Sequence, residues 1–261
     1  MSTQIKERPI LFSGAMVRAL LDGSKTQTRR IVKDDPGPYW MPRVGLYNPV
    51  VIANGGYEAP GPEIYGASDE HHGRKCPYGQ PGHRLWVRET WGVVSNAWGE
   101  DGNLVDWVPD RPATAVHEMR FGGGYYSGHA IYAADGGYEW AGDDDGGGEP
   151  RSAWHPSIHM PRAASRILLE VVSVRVERLN ACSQSDAISE GAVSIRSKEW
   201  DREHFPVWRY LFDEAVAAGE KPPVGPSPVQ AYQALWESIN GVGSWDADPW
   251  VWVVEFKRAM P

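Results

Sequence analysis

The chain has 261 residues, which permits one large domain or two small ones. Its net charge of −8 argues against a protein that grips long RNA through the phosphates, because such proteins are usually basic. Hydrophobic residues make up 41%, enough for a core, and the 13 tryptophans predict core packing together with some stacking surface.

The sequence also bears on the compartment. Cys76 and Cys182 are the two cysteines, and their wide separation excludes a disulfide framework and fits a reducing cytosol. Residues 1–6 lack the apolar centre of a signal peptide, and no run of about 18 apolar residues predicts a membrane span. We therefore expect a cytoplasmic protein without a membrane partner.

The first elements form a strand, a helix and a second strand. Arg8–Ser13 predicts a strand, with Ser13 as the N-cap of a helix over Ala15–Asp22, whose apolar residues recur at three- and four-residue spacing. Gly23 can end that helix in the left-handed conformation. The polar and β-branched residues of Lys25–Val32 then favour a strand with one solvated face.

The middle of the chain has weaker patterns. Region 34–80 is rich in Gly, Pro, Tyr and Asn without lasting periodicity, and is interpreted as an insertion of loops and short hairpins. Residues 82–91 predict a strand after the Pro81-Gly82 turn, and region 92–128 is a second insertion. Two further short strands are predicted at 104–108 and 129–133.

The next segment contains the strongest strand pattern. Asp143–Gly148 resembles a calcium loop only superficially, because the alternating spacing and terminal glutamate are missing, so we expect a solvated turn. Ile167–Val176 is long and β-branched and predicts a strand. Ser185 is the predicted N-cap of a short helix that carries Glu190 and ends at Gly191.

The last third contains two predicted helices and a closing strand. Region 194–227 is a third insertion with a helix around 207–218. The helix at 228–240 places Tyr232, Leu235, Trp236 and Ile239 on one face, and 250–256 is the final strand. Because strands occur from end to end without a linker, we expect a single domain over 1–261, with insertions at about 34–80, 92–128 and 194–227.

Four blocks of the sequence resemble the ASCH family, a branch of the PUA-like β-barrels. They are residues 9–30 with Gly-Ser-Lys-Thr-Gln-Thr-Arg-Arg at 23–30, then 81–89, 187–191 and 250–256. The first and third blocks are the specific ones, and the four cover less than half of the chain. The Trp-rich layout with large inserts is similar to ASCH proteins of phages and prophages. The resemblance implies an α+β fold, a mixed β-barrel with short flanking helices and large loop insertions.

The resemblance also implies a catalytic set. ASCH relatives that hydrolyse N4-acetylcytidine to cytidine use a Lys, a Thr and a Glu, which match Lys25, Thr28 and Glu190. Amide cleavage is acyl transfer, which needs a nucleophile, a base, an acid for the leaving amine and donors to the oxyanion. Two assignments stay open: neutral Lys25 activates the Thr28 hydroxyl, or Glu190 activates water while Lys25 and Thr28 bind the oxyanion.

Strand geometry sets a condition on this set. Positions i and i+3 of a regular strand face opposite ways, so Lys25 and Thr28 share a pocket only if Lys25 lies in the turn or a bulge intervenes. Taken singly, Lys25 is most often a solvated lysine, Thr28 an ordinary strand residue and Glu190 a helix-surface carboxylate. Only their joint fit to the family pattern favours catalysis.

Four further residues are assigned to substrate binding. Either Arg29 or Arg30 can donate to a carbonyl or phosphate, and Arg30 is preferred because it shares strand parity with Thr28. Trp91 can stack on a base, Glu89 can accept from the amine edge of that base, and Ser13 completes the set. The alternatives are a surface ion pair for Arg30, a structural pair for Glu89 and a core position for Trp91.

Metal and cofactor sites are not predicted. His155 and His159 lie four apart, and His71, His72 and Cys76 cluster, but a zinc site needs three or four ligands in matched pairs. The sequence contains no P-loop, dinucleotide fingerprint or Gly-x-Ser-x-Gly elbow. We expect neither a metal nor a cofactor.

Three functions remain as hypotheses. The first is an amidohydrolase that removes the acyl group from N4-acylated cytidine or a related modified nucleoside. The second is a non-catalytic module that binds RNA or a modified base, and the third is a ribonuclease. The acidic composition favours a small nucleoside as the partner, with RNA as the alternative, and the sequence does not predict the oligomeric state.

Overall fold

The computed structural model describes residues 5–138, 140 and 153–259. Fifteen strands and five α-helices occur among these residues, which confirms the α+β class. The predicted turn at Asp143–Gly148 and the first four residues of the N-terminal segment lie outside the described residues.

The strands are short except for four that exceed seven residues. They are β1 (Glu7–Leu11), β2 (Gln27–Ile31), β3 (Arg43–Tyr47), β4 (Val50–Ile52), β5 (Glu58–Pro60), β6 (Ile64–Ser68), β7 (Gly73–Lys75), β8 (Arg84–Arg88), β9 (Trp91–Val94), β10 (Asn96–Trp98), β11 (Leu104–Asp106), β12 (Thr114–Phe121), β13 (Gly124–Tyr132), β14 (Leu168–Arg178) and β15 (Trp250–Arg258).

The helices lie at the start and in the last third of the described chain. They are α1 (Gly14–Leu21), α2 (Gln184–Ser189), α3 (Lys198–His204), α4 (Pro206–Ala218) and α5 (Pro228–Asn240). No helix of the described residues combines the length and the apolar character that crossing a bilayer would require. Each helix predicted from the sequence is present, and α3 is an additional helix.

The chain divides into two compact units. The described part of the first unit consists of residues 5–18, 83–138, 140, 153–170 and 258–259, and the second unit consists of residues 19–82 and 171–257. Strand β14 contributes Leu168–Glu170 to the first unit and its remainder to the second.

The first unit is built on two sets of paired strands. β1 runs parallel to β8, and the start of β14 pairs antiparallel with β8. A separate antiparallel sheet has the order β12-β13-β9, and a register shift between Val116 and Met119 marks a bulge in β12. Trp91, Tyr132 and Met160 are fully buried in the core of this sheet.

The second unit carries the Lys25 segment and Glu190. β15 pairs antiparallel with β2, from Gln27 opposite Glu255 to Ile31 opposite Val251, and its other neighbour is β14. All four residues of Val251–Val254 are buried, so both faces of β15 are covered. Helix α2 packs against α5, whose Tyr232, Leu235 and Trp236 point into the core.

The region predicted as the first insertion contains more regular structure than loops. It forms an antiparallel sheet of order β3-β6-β7 and the hairpin β4-β5, all in the second unit. These strands have three to five residues each, too short for an alternation pattern to emerge between the glycines and prolines. Among the described residues the sheets are open, so closure into a PUA-like barrel stays a prediction.

Candidate active site

Lys25 lies before the regular part of β2. Its backbone N–H donates to the Ala19 carbonyl at 2.9 Å, and it forms an isolated antiparallel bridge with Glu190. The next N–H, that of Thr26, donates to the Ser189 carbonyl at 2.8 Å. Because β2 begins only at Gln27, strand alternation does not dictate the direction of the Lys25 side chain.

Glu190 occupies the C-terminal end of α2. The helix begins at Ser183, whose hydroxyl accepts from the Asp186 N–H at 3.1 Å while the Asp186 carboxylate accepts from the Ser183 N–H at 3.1 Å. The prediction of Ser185 as the N-cap was wrong, because the reciprocal bonds of this capping box fix the start two residues earlier. Glu190 keeps helical backbone angles, and Gly191 at φ +77° turns the chain away.

The side chains of Lys25 and Glu190 form a buried ion pair. The Lys25 Nζ donates to Glu190 Oε2 at 2.9 Å and to the Glu190 main-chain carbonyl at 2.9 Å. Each residue is only 2% exposed. Burial lowers the pKa of Lys25 below its ordinary value, and attraction to Glu190 offsets only part of this effect. The Lys25 ammonium therefore loses its proton at a lower pH than an exposed lysine does.

Arg29 is the second cation on Glu190. Its Nη1 donates to Glu190 Oε1 at 3.2 Å, and its Nη2 donates to Glu177 Oε1 at 2.5 Å and lies 3.3 Å from Asp186 Oδ2. Burial opposes its charge, yet Glu190 and the neighbouring groups hold the pKa of Arg29 above its usual range. The guanidinium carbon lies 5.9 Å from the ring centroid of Tyr232. Arg29 thus fixes the side of the carboxylate that Lys25 does not contact.

Arg29, rather than the preferred Arg30, therefore contacts the candidate catalytic pair, and the acids around it were not predicted. Arg175 bonds Glu177 at 3.0 Å and Asp186 at 2.6 Å, and Gln27 donates to the Asp186 carboxylate at 3.2 Å. Burial would raise the pKa of Asp186, but hydrogen bonds from Ser183 and the charge of Arg29 hold it well below its usual range. The available signal was the series of acids at 177, 186 and 190, because buried acids need cationic partners.

Thr28 and Arg30 flank Arg29 on β2. Thr28 is 3% exposed and lies opposite Val254, and Arg30 is half-buried opposite Trp252. The charge of Arg30 acts on the pKa of Lys25, so its guanidinium lies within electrostatic range of the ammonium. The structure therefore joins Lys25 to Glu190 directly and places Thr28 in the adjacent buried strand.

Two residues assigned to substrate binding have partners within the first unit. Glu89 is 1% exposed and forms two bonds of 2.9 Å with Arg166, which also binds Asp135. Burial raises the pKa of Glu89, and the Arg166 bonds oppose that rise. The Trp91 ring is fully buried against Phe121, which is the position of a core residue.

Ser13 directly precedes α1. Its carbonyl accepts from the Val17 N–H at 2.9 Å, and the residue is exposed. Ser13 thus lies at the N-terminus of α1, where the sequence pattern placed it, and capping by its side chain stays a prediction.

The histidine and cysteine groupings do not assemble a metal centre in the described part of the chain. No cluster of three or more His, Cys, Asp or Glu side chains there has the geometry to hold a metal ion. His155 packs against the aromatic rings of Trp91 and Phe121, and His71 and His72 are exposed. Cys76 is a free, buried cysteine.

Comparison of the chain with protein-family models, with curated proteins and with solved structures found no match. The chemistry of the site therefore has to be inferred from its own residues and from the sequence resemblance described above.

Proposed function

We propose that the protein is an amidohydrolase that removes the acyl group from N4-acylated cytidine or a related modified nucleoside. The observation that carries this proposal is the buried pair of Lys25 and Glu190, with Nζ and Oε2 2.9 Å apart. Acyl transfer to water requires a group that takes the proton of the nucleophile and a group that gives a proton to the leaving amine, and a lysine in contact with a glutamate can supply both. The choice of cytidine comes from the ASCH resemblance of residues 23–30 and 187–191.

The reaction consumes water and yields a carboxylic acid and an amine. The amide carbonyl is attacked to form a tetrahedral oxyanion, the C–N bond breaks, and the departing nitrogen takes up a proton. Neutral Lys25 can accept the proton of the attacking group and return it to the leaving nitrogen, since burial has lowered its pKa. Glu190 holds the ammonium in place when the proton is on Lys25.

Two nucleophiles fit this scheme. In the first route the Thr28 hydroxyl attacks and an acyl-threonine forms, which water then hydrolyses. In the second route Glu190 activates water, and Lys25 and Thr28 donate to the oxyanion. Hydroxylamine distinguishes them, because it traps an acyl-enzyme as the hydroxamate only in the first route. Thr28→Ser keeps activity in both routes, whereas Thr28→Ala abolishes it only in the first.

The direct test is incubation of the purified protein with N4-acetylcytidine and detection of cytidine and acetate. We expect cleavage by the wild-type protein and a loss of at least about 100-fold for Lys25→Met and Glu190→Gln. Lys221→Met is the matched control, because it removes an exposed ammonium of the same unit. Absence of cleavage by the folded wild-type protein across a series of N4-acyl groups would contradict the proposal.

The second candidate is a module that binds RNA or a modified base without cleaving it. The observation that favours it is the exposure of only 2% for both Lys25 and Glu190, because a sealed ion pair can serve to hold α2 against the start of β2. In that case the folded protein binds cytidine derivatives or RNA with strong salt dependence and releases no acetate. A ribonuclease, the third hypothesis, would shorten a labelled RNA strand in the same experiment.

A further inference from the structure

A cavity of about 400 Å³ lies in the second unit, outside the ion pairs described above. Its walls come from 31–34 at the end of β2, from Arg74 and Lys75 on β7, and from Tyr78 and Trp252. The volume falls within the range of small-molecule sites in proteins. Arg74, Lys75 and Tyr78 belong to the region that the sequence analysis treated as an insertion, so the resemblance to known proteins says nothing about them.

The cavity is positively charged although the whole chain is acidic. Lys33, Arg74 and Lys75 line it, and Asp34 is the one carboxylate among its lining residues. Arg74 is oriented by main-chain carbonyls: Nε donates to the Asp34 carbonyl at 2.9 Å, Nη2 donates to the same carbonyl, and Nη1 donates to that of Gly73 at 3.0 Å. The guanidinium is therefore held in place by neutral acceptors, which leave its charge uncompensated.

Lys33 and Lys75 differ from Lys25 in how their charges are neutralised. No ion pair engages Lys33 or Lys75 within residues 5–138, 140 and 153–259, and both are exposed. In contrast, Lys25 and Arg29 of the same unit are matched by buried or half-buried carboxylates. Unneutralised cations that converge on a concave surface focus a positive potential there and attract an anion.

The strand that carries Arg30 also borders the cavity, because its last residue, Ile31, is part of the lining. Trp252, which lines the cavity, lies directly opposite Arg30 in the β2–β15 register. Burial raises the pKa of Tyr78, and the charge of Arg30 opposes that rise. Because the same guanidinium also acts on Lys25, Arg30 lies within electrostatic range of both places.

We propose that this cavity binds the phosphate group of a nucleotide-type ligand through Lys33, Arg74 and Lys75. One guanidinium and two ammonium groups match the negative charge of a phosphate, and the two ammonium groups can donate hydrogen bonds to its oxygens. Tyr78 and Trp252 supply aromatic walls beside it. The identity of the base rests on the proposed function, whereas the phosphate site does not. Combined with the proposed function, the site predicts that a nucleotide or an RNA strand binds more tightly than the bare nucleoside.

The test is isothermal titration of the full chain with cytidine, cytidine 5′-monophosphate and a short oligocytidylate, none of which carries an acyl group to be cleaved. We expect the phosphorylated ligands to bind about tenfold more tightly than cytidine, the scale of a charge-assisted hydrogen bond. Lys33→Gln with Lys75→Gln should remove that difference. Lys198→Gln with Lys221→Gln is the matched control, since both are exposed lysines of the same unit outside the cavity lining.

The outcomes separate the sources of phosphate. Tight binding of the mononucleotide supports a free nucleotide, and tight binding of the oligonucleotide alone supports an RNA strand, in each case with a loss confined to the Lys33 and Lys75 variant. The affinity should also fall between about 50 and about 200 mM salt, and less so in that variant. Equal affinity for cytidine and its monophosphate, or equal losses in the two double variants, would overturn the proposal. Because no ligand here is cleaved, this result is independent of whether N4-acetylcytidine is hydrolysed.

Discussion

Because Lys25 and Glu190 have different remaining partners, we predict that replacing one destabilises the protein more than replacing the other. At 2.9 Å and an effective dielectric constant of about 20, its gross attraction is about 6 kcal/mol, most of which desolvation cancels. Lys25→Met leaves Glu190 with Arg29 at 3.2 Å, whereas Glu190→Gln removes the negative charge beside the buried ammonium of Lys25 and leaves it neutral acceptors at residue 190. We therefore expect losses of about 2–3 kcal/mol for Lys25→Met and about 4–5 kcal/mol for Glu190→Gln.

Guanidinium chloride unfolding, followed by tryptophan fluorescence and circular dichroism, measures these losses. The double variant should cost about 2 kcal/mol less than the sum of the single variants, since each single change already breaks the shared bond. Arg162→Gln is the control, because the 2.8 Å Arg162–Glu7 pair is 45% and 34% exposed and should contribute at most about 1 kcal/mol. A larger loss for Lys25→Met than for Glu190→Gln would refute the reasoning, as would losses no larger than that of the Arg162→Gln control.

Comparison of the wild type with Lys25→Met predicts how the free energy of unfolding changes with pH. The native pKa of Lys25 lies below its ordinary value of 10.5, so between these two values the unfolded chain binds a proton that the native protein does not. The free energy of unfolding of the wild type, relative to Lys25→Met, should therefore rise as the pH rises through this window and level off above it. Unfolding series at several alkaline pH values measure the difference, and a decline with pH would contradict the burial argument.

Three further predictions concern the surroundings of the pair. Gly191→Ala should cost about 1 kcal/mol more than Gly219→Ala in unfolding experiments: both glycines have positive φ, but only at 191 would the new Cβ lie 3.1 Å from another Cβ atom; equal costs would contradict the close approach. Burial raises the pKa of Cys182 to about 12, so iodoacetamide at about pH 8.5 should label it only as fast as the protein opens; the rate of an exposed thiol would contradict this. Arg29→Lys cannot bond two carboxylates in a fork and should destabilise the protein by about 2 kcal/mol and lower N4-acetylcytidine cleavage; wild-type values for both would show that Arg29 does not position Glu190.

The elements that the sequence predicted well are those with long, local patterns. The helix at 228–240 was predicted with its observed bounds, since Tyr232, Leu235 and Trp236 repeat at helical spacing and are buried. The placement of Ile239 on that buried face was wrong, because the residue is 54% exposed one turn further along. Periodicity thus indicated the helix, but not which of its apolar residues are buried by the rest of the protein.

The candidate site shows that local sequence patterns do not determine which charged residues pair with each other. The resemblance selected Lys25 and Glu190, which prove to be in contact although 165 residues separate them. Strand parity drew attention to Arg30, whereas Arg29 is the residue that bonds Glu190 and Glu177. Neighbouring positions on a strand have nearly identical local signals, and the location of the acids decides which one is buried against them.

By itself, the sequence determined the main helices and the strands that carry the family-like blocks, because hydrophobic spacing and capping residues act within a few positions of each other. The α+β class was implied by the resemblance of those blocks. Only the tertiary structure decided the partners of the buried charges, including Arg166 for Glu89 and Arg29 for Glu190, and the convergence of Lys33 with Lys75 on one cavity. Charge pairing depends on distances of a few ångströms between segments remote along the chain, and no local pattern contains that information.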